Sequence, residues 1–146
     1  MFGIIPENEP LEMDGELFQE AKIVIDDFWE TLQLPLSYWE LKDYKRSWLA
    51  SIEKGMHSKN HAALAVSMYD PEQTNFIFVW VIYFQDDDVV FLQNKVIFLE
   101  DHPSFTIEKI NDFITPRVTH TEDGHKISEW CTDLNSIVTF CNSLKE

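Results

Sequence analysis

The sequence predicts an α+β domain in which an antiparallel β-sheet is backed by helices. Three observations carry this. Residues 76–84 (Phe-Ile-Phe-Val-Trp-Val-Ile-Tyr-Phe) form a continuous apolar run, too apolar for a strand with one wet face. Turn-forming clusters flank it at Asp70-Pro71-Glu72-Gln73 and Asp86-Asp87-Asp88. Two stretches, starting near Ser37 and Asp133, repeat apolar residues every three or four positions.

The elements follow in order. Residues 2–5 and 22–25 read as short strands that pair with one another, set in a strongly acidic stretch, residues 7–30, whose acids fall in turns and on solvent faces. Ser37-Tyr38-Trp39-Glu40 has the spacing of a capping box and predicts a helix start at Ser37. Leu41, Tyr44, Trp48, Leu49 and Ile52 make its apolar face, and Gly55 marks its end. Residues 61–69, 74–84 and 89–99 are three successive antiparallel strands, the second central. The aspartates between the last two guard against edge aggregation. A helix over residues 106–114 is stopped by Pro116, and residues 117–121 and 126–131 form a hairpin around Asp123-Gly124. A last helix takes Asp133 as N-cap and buries Leu134, Ile137, Val138, Cys141 and Leu144.

Composition sets the function classes. The chain has 146 residues, with 26 Asp and Glu against 11 Lys and Arg, for a formal charge of -15. Yet 45% of residues are hydrophobic and 14% aromatic, which separates it from acidic disordered tails. At 17.2 kDa, residues 1–146 make one domain, large enough to bury roughly 70% of its unfolded surface. Cys131 and Cys141 are expected as free, buried thiols, although the sequence leaves a disulfide open. The N-terminus lacks the basic and apolar regions of a secretory signal, so a cytoplasmic protein without membrane contact is expected.

Chemistry-bearing motifs are few. No P-loop, GxSxG, HExxH or EF-hand pattern occurs, so neither an enzyme nor a cofactor is expected. His120 and His125 flank Glu122 and Asp123, but a turn tip without a further His or Cys is a weak metal site, and exposed turn histidines are expected. Lys42, Lys45, Arg46 and Lys54 share one helix with Glu40, Asp43 and Glu53, a solvated face with pairs such as Asp43–Arg46. Such a charge balance disfavours nucleic acid and favours a basic partner.

Several stretches carry a family resemblance: Met1-Phe2-Gly3-Ile4, residues 34–39 (Leu-Pro-Leu-Ser-Tyr-Trp), residues 63–69 (Ala-Leu-Ala-Val-Ser-Met-Tyr), residues 74–78, residues 94–99 and residues 126–130. Together they resemble the CdiI immunity proteins of contact-dependent growth inhibition systems, of the Enterobacter cloacae type. The resemblance spans nearly the whole chain without one diagnostic motif. It implies a cytoplasmic antitoxin that forms a one-to-one complex with the C-terminal toxin domain of the exoprotein CdiA. In that type the toxin is an RNase that cuts 16S ribosomal RNA, and the immunity fold is similar to the Whirly proteins. Whirly proteins bind single-stranded DNA, which keeps a nucleic-acid-binding module as the alternative reading, against the charge.

A basic RNase cleft would be blocked by an acidic, phosphate-mimicking surface anchored by a few buried side chains. The candidates for toxin contact are Glu9, Glu12, Asp14 and Glu16, the turn Asp86, Asp87 and Asp88, and the aromatics Trp39 and Trp130.

Overall fold

The computed structural model, which describes residues 1–85 and 87–145, contains two four-stranded antiparallel sheets and two α-helices. In the first sheet a ten-residue strand is the hub: β3 (Glu16–Ile25) pairs with β1 (Phe2–Pro6) and β2 (Leu11–Met13) on one side and with β4 (Phe28–Pro35) on the other. Its odd-numbered residues Gln19, Ala21, Ile23 and Ile25 are buried, while Glu16, Phe18, Glu20, Lys22 and Val24 face the other way and stay partly exposed. The expected pairing of residues 2–5 with 22–25 is present, with Phe2 opposite Ile25 and Ile5 opposite Lys22.

The acidic stretch is more ordered than its charge indicates. Asp14 and Gly15 both have positive φ, 52° and 81°, and close the two-residue turn between β2 and β3. Asp26-Asp27 turns β3 into β4, with Asp26 at φ 52°. The acids sit in turns and on exposed strand faces as expected, but β4 has no counterpart in the sequence reading.

α1 (Leu41–Ser58) begins four residues later than Ser37, because Glu40 is its N-cap and forms the capping box with Asp43. Ser37 instead donates its hydroxyl to Glu16, 3.1 Å away. The helix also runs past Gly55, ending at Lys59 in the left-handed region. Gly55 is buried because a Cβ there would stand 2.6 Å from the His61 carbonyl oxygen. It marks a close approach to the next strand rather than a helix end.

The second sheet runs in the order β5 (His61–Ser67), β6 (Phe76–Phe84), β7 (Val89–Phe98), β8 (Trp130–Asp133). β6 is interior, as its apolar run indicates, and Ile77, Val79, Trp80, Val81, Ile82 and Tyr83 are all buried. Residues 107–113 form a kinked 3₁₀ segment instead of an α-helix, with Ile110 buried. Only one bridge, His120 to Lys126, realises the expected hairpin, since β8 pairs with β7 instead. Asp133 caps α2 (Leu134–Leu144) by accepting the Ser136 N–H at 2.8 Å. Both thiols are free, but only Cys141 is buried; Cys131, on β8, is exposed.

Edges are closed in different ways. On the outer side of β5, Ala63 N–H donates to Asn111 Oδ1 (2.7 Å), Trp48 Nε1 donates to the Ala65 carbonyl (2.8 Å) and Met68 N–H donates to Tyr44 Oη (2.9 Å). Side chains thus satisfy backbone groups that a neighbouring strand would otherwise take.

Candidate functional site

The two acidic groups expected to touch a partner lie at opposite ends of β3. Glu12 is exposed on β2, Asp14 is exposed at the turn, and Glu9 is exposed just before β2. Glu16 is half-buried beside Tyr69, whose hydroxyl is pushed up to about 12 by burial and by this carboxylate. Asp87 and Asp88, both exposed, belong to the other end, where the Asp88 carbonyl accepts the Leu134 N–H at 2.8 Å. Val89 pairs with Asp133 there, and Thr132 donates its hydroxyl to Asp26 at the tip of β3. The Met1 ammonium holds the Asp26 carboxyl below the usual carboxylate range. Ten residues of extended strand separate the two groups by about 30 Å. Asp86 lies outside the described residues.

The two tryptophans are only partly available. Trp39 is half-buried and meets Tyr44 edge-on, with centroids 5.1 Å apart. Trp130 is half-buried between Phe28 (4.5 Å) and Trp80 (5.2 Å), so it forms part of the aromatic seam joining the sheets.

Exposed aromatic surface occurs elsewhere. Phe76 (42% exposed), Phe78 (46%), Val96 (36%) and Phe98 (51%) lie on one face of the second sheet, because Phe76 opposes Phe98 and Phe78 opposes Val96. The same face continues inward to Trp80, Ile82, Phe84, Val90 and Leu92, which are buried. Four apolar side chains therefore stand where the cover of the first sheet ends. Beside them runs a groove of ≈ 440 Å³, walled by Glu30, Thr31, Leu32 and Gln33 of β4 and floored by Val66, Phe78, Trp80 and Val96. Trp29, 59% exposed, stands on the outer face of β4 with the Lys22 ammonium 4.5 Å above its ring.

Acids occupy the turns that adjoin the strand ends carrying this patch. Asp70 and Glu72 occupy the turn leading into β6, and Glu100 and Asp101 follow Phe98 in a 3₁₀ turn tied to β6 by Leu99 N–H to Asn75 O at 2.9 Å. Exposed aromatic side chains with acids in the adjoining turns make this patch a candidate protein-binding surface. Sequence reasoning missed it because the run at 76–84 reads as buried throughout, and only the extent of the covering sheet leaves its first residues bare.

Among the basic residues of α1, Arg46 pairs with Asp43 at 3.9 Å and Lys42 with Glu40 at 3.2 Å, while Lys54 donates to the Glu108 carbonyl at 2.8 Å. His120 and His125 are exposed, and among the described residues no three His, Cys, Asp or Glu side chains converge on a metal position. No helix among the described residues is long and apolar enough to cross a membrane.

The family model of the CdiI N-terminal domain matches residues 34–140. The immunity protein CdiI of Enterobacter cloacae subsp. cloacae is 59% identical over 144 residues, covering 99% of each chain. A chain in the solved CdiA-CT/CdiI toxin and immunity complex from Enterobacter cloacae matches with a TM-score of 0.95 at 59% identity, again over 99% of both chains.

Proposed function

The chain belongs to the CdiI family of immunity proteins, and from that premise we propose that it is an antitoxin that binds and neutralises the C-terminal toxin domain of a CdiA exoprotein. The observation that carries the reading is identity of 59% sustained over 99% of both chains, to a relative solved within a toxin–immunity complex. The toxin is a basic RNase, the complex is one-to-one, and the site of action is the cytoplasm. Inhibition is stoichiometric and involves no bond-breaking by the immunity protein.

The physical logic rests on opposite charge. A ribonuclease must attract a polyanion, so its cleft is cationic; a protein of charge -15 is drawn to it and takes the place of RNA. Exposed Phe76, Phe78 and Phe98 supply apolar anchors, while Asp70, Glu72, Glu100 and Asp101 supply the polar rim. The acids Glu9, Glu12, Asp14 and Glu16 and the turn at Asp87 and Asp88 contribute through the field, from the two ends of β3.

Co-expression with the cognate toxin domain tests the reading. Growth is restored, the two chains co-purify at equal stoichiometry, and ribosomal RNA cleavage in vitro stops at one equivalent of immunity protein. Continued cleavage at several equivalents defeats it.

A further inference from the structure

Resting on the immunity reading, we propose that β4 is a strand acceptor: an extended cationic segment of the toxin domain adds to its outer edge and lies along the groove above Phe78 and Val96.

The backbone directions follow from the register. Asp26 N–H donates to Met1 O and Glu7 N–H donates to Glu20 O, so the even-numbered residues of β3 bond toward β1. Its odd-numbered residues bond toward β4, and their partners there are Phe28, Glu30, Leu32 and Leu34. The N–H and C=O groups of Trp29, Thr31 and Gln33 therefore point away from β3, and among the described residues no strand pairs with that side.

Among the described residues the other sheet edges are short or guarded, apart from residues 93–98 of β7, which run on beyond its pairing with β8. β2 has three residues and β8 four. β1 ends in Pro6, which lacks an N–H, and Phe2 packs on Phe140 of α2 at 5.1 Å. β5 is closed by Asn111, Trp48 and Tyr44. Among the described residues β4 alone offers an edge of eight residues with no proline before its last position, opening onto an apolar floor.

Charge selects the occupant. Glu30 and Lys95 line the groove, Asp70, Glu72, Glu100 and Asp101 lie in the turns that adjoin its aromatic end, and the Lys22 ammonium is held over Trp29 on the outer face of β4. A strand laid here presents alternate side chains to the Phe78 and Val96 floor, and Lys or Arg elsewhere along it meets those carboxylates. Main-chain bonds supply affinity and the pockets between side chains supply register.

Hydrogen exchange on the isolated protein and on its complex with a catalytically inactivated cognate toxin domain tests this. The amides of Trp29, Thr31 and Gln33 exchange fast alone and slow by at least ~tenfold in the complex, while those of Glu30 and Leu32 are slow in both. Thr31→Pro removes one outward N–H and weakens binding by at least ~tenfold, whereas Thr31→Ala, which keeps it, does not. A complex that forms while all three amides keep their free exchange rates overturns the strand-acceptor inference and leaves the immunity reading standing. Slow exchange of the three in the isolated protein, rising with its concentration, assigns the edge to a second copy and also overturns it. Failure to form any complex overturns both.

Discussion

Glu129 shows how one side chain fixes a long irregular segment. Its carboxylate receives Arg117 Nε and Nη2 at 2.7 and 2.6 Å and Gln93 Nε2 at 2.7 Å, while Arg117 stacks 3.8 Å above the Phe91 ring. Gln93 is fully buried and also donates to the Val118 carbonyl, so residues 117–129 are clamped onto β7. Arg117 holds the Glu129 carboxyl below the ordinary glutamate value of 4.5. A depressed folded-state value means that the stabilisation is complete above about that pH and is lost as pH falls through the folded value. Glu129→Gln is therefore expected to cost about 1–3 kcal/mol at pH 7, measured by urea denaturation. The gap to the parent should narrow below about pH 4.5, and a gap independent of pH removes the ion pair as its cause. Phe78 makes a different case, since 46% of it is already exposed and its replacement leaves little cavity. Phe78→Ser should leave the melting temperature within a few degrees while weakening toxin binding by roughly 30-fold, about 2 kcal/mol, in a titration. Unchanged affinity excludes the patch as an anchor.

Legibility differs from element to element for physical reasons. β6 and α2 are readable because local pattern and tertiary role coincide: a continuous apolar run becomes the interior strand, and Asp133 caps the helix it precedes. β4 was not readable. Its inward residues Phe28, Leu32 and Leu34 do alternate, but Glu30 interrupts the inner set and Trp29 puts a large apolar group on the outer one. The Asp14-Gly15 pair was a usable hairpin signal hidden by the surrounding acids. The 3₁₀ segment at 107–113 carries helical spacing, yet Asn111 accepts the Ala63 N–H and donates to the Ser51 carbonyl, ties that serve the sheet edge. Gly55 is the sharpest case, because helix-end chemistry and close packing leave the same residue in the sequence. Replacement by Ala favours the helix by up to ~1 kcal/mol yet drives a Cβ against the β5 backbone, where the His61 oxygen would stand 2.6 Å away. Gly55→Ala should thus be net destabilising by about 1–3 kcal/mol in thermal unfolding. A stabilised variant shows that α1 can shift away from β5 without loss.

Across the whole molecule, charge was fully legible and its placement was not. Composition gives -15, but whether acids gather or spread depends on the topology, and β3 carries its two candidate groups to opposite ends. Net charge of this kind acts through a long-range field more than through single contacts, and ions screen that field over about 10 Å at 0.1 M salt. Exposed apolar side chains such as Phe76 and Phe98 can act only at contact and are insensitive to moderate salt. The two contributions therefore separate kinetically. Raising salt from about 15 to 150 mM should lower the association rate with the toxin domain by about 10-fold or more, and change the dissociation rate much less. Reversing Asp87 and Asp88 together to Lys removes two negative charges and adds two positive ones at one end of β3, and should flatten the salt dependence of association without raising dissociation comparably. Stopped-flow kinetics at several ionic strengths check both statements. An association rate indifferent to salt would mean that apolar contact alone recruits the toxin and that the acidic surface serves another purpose.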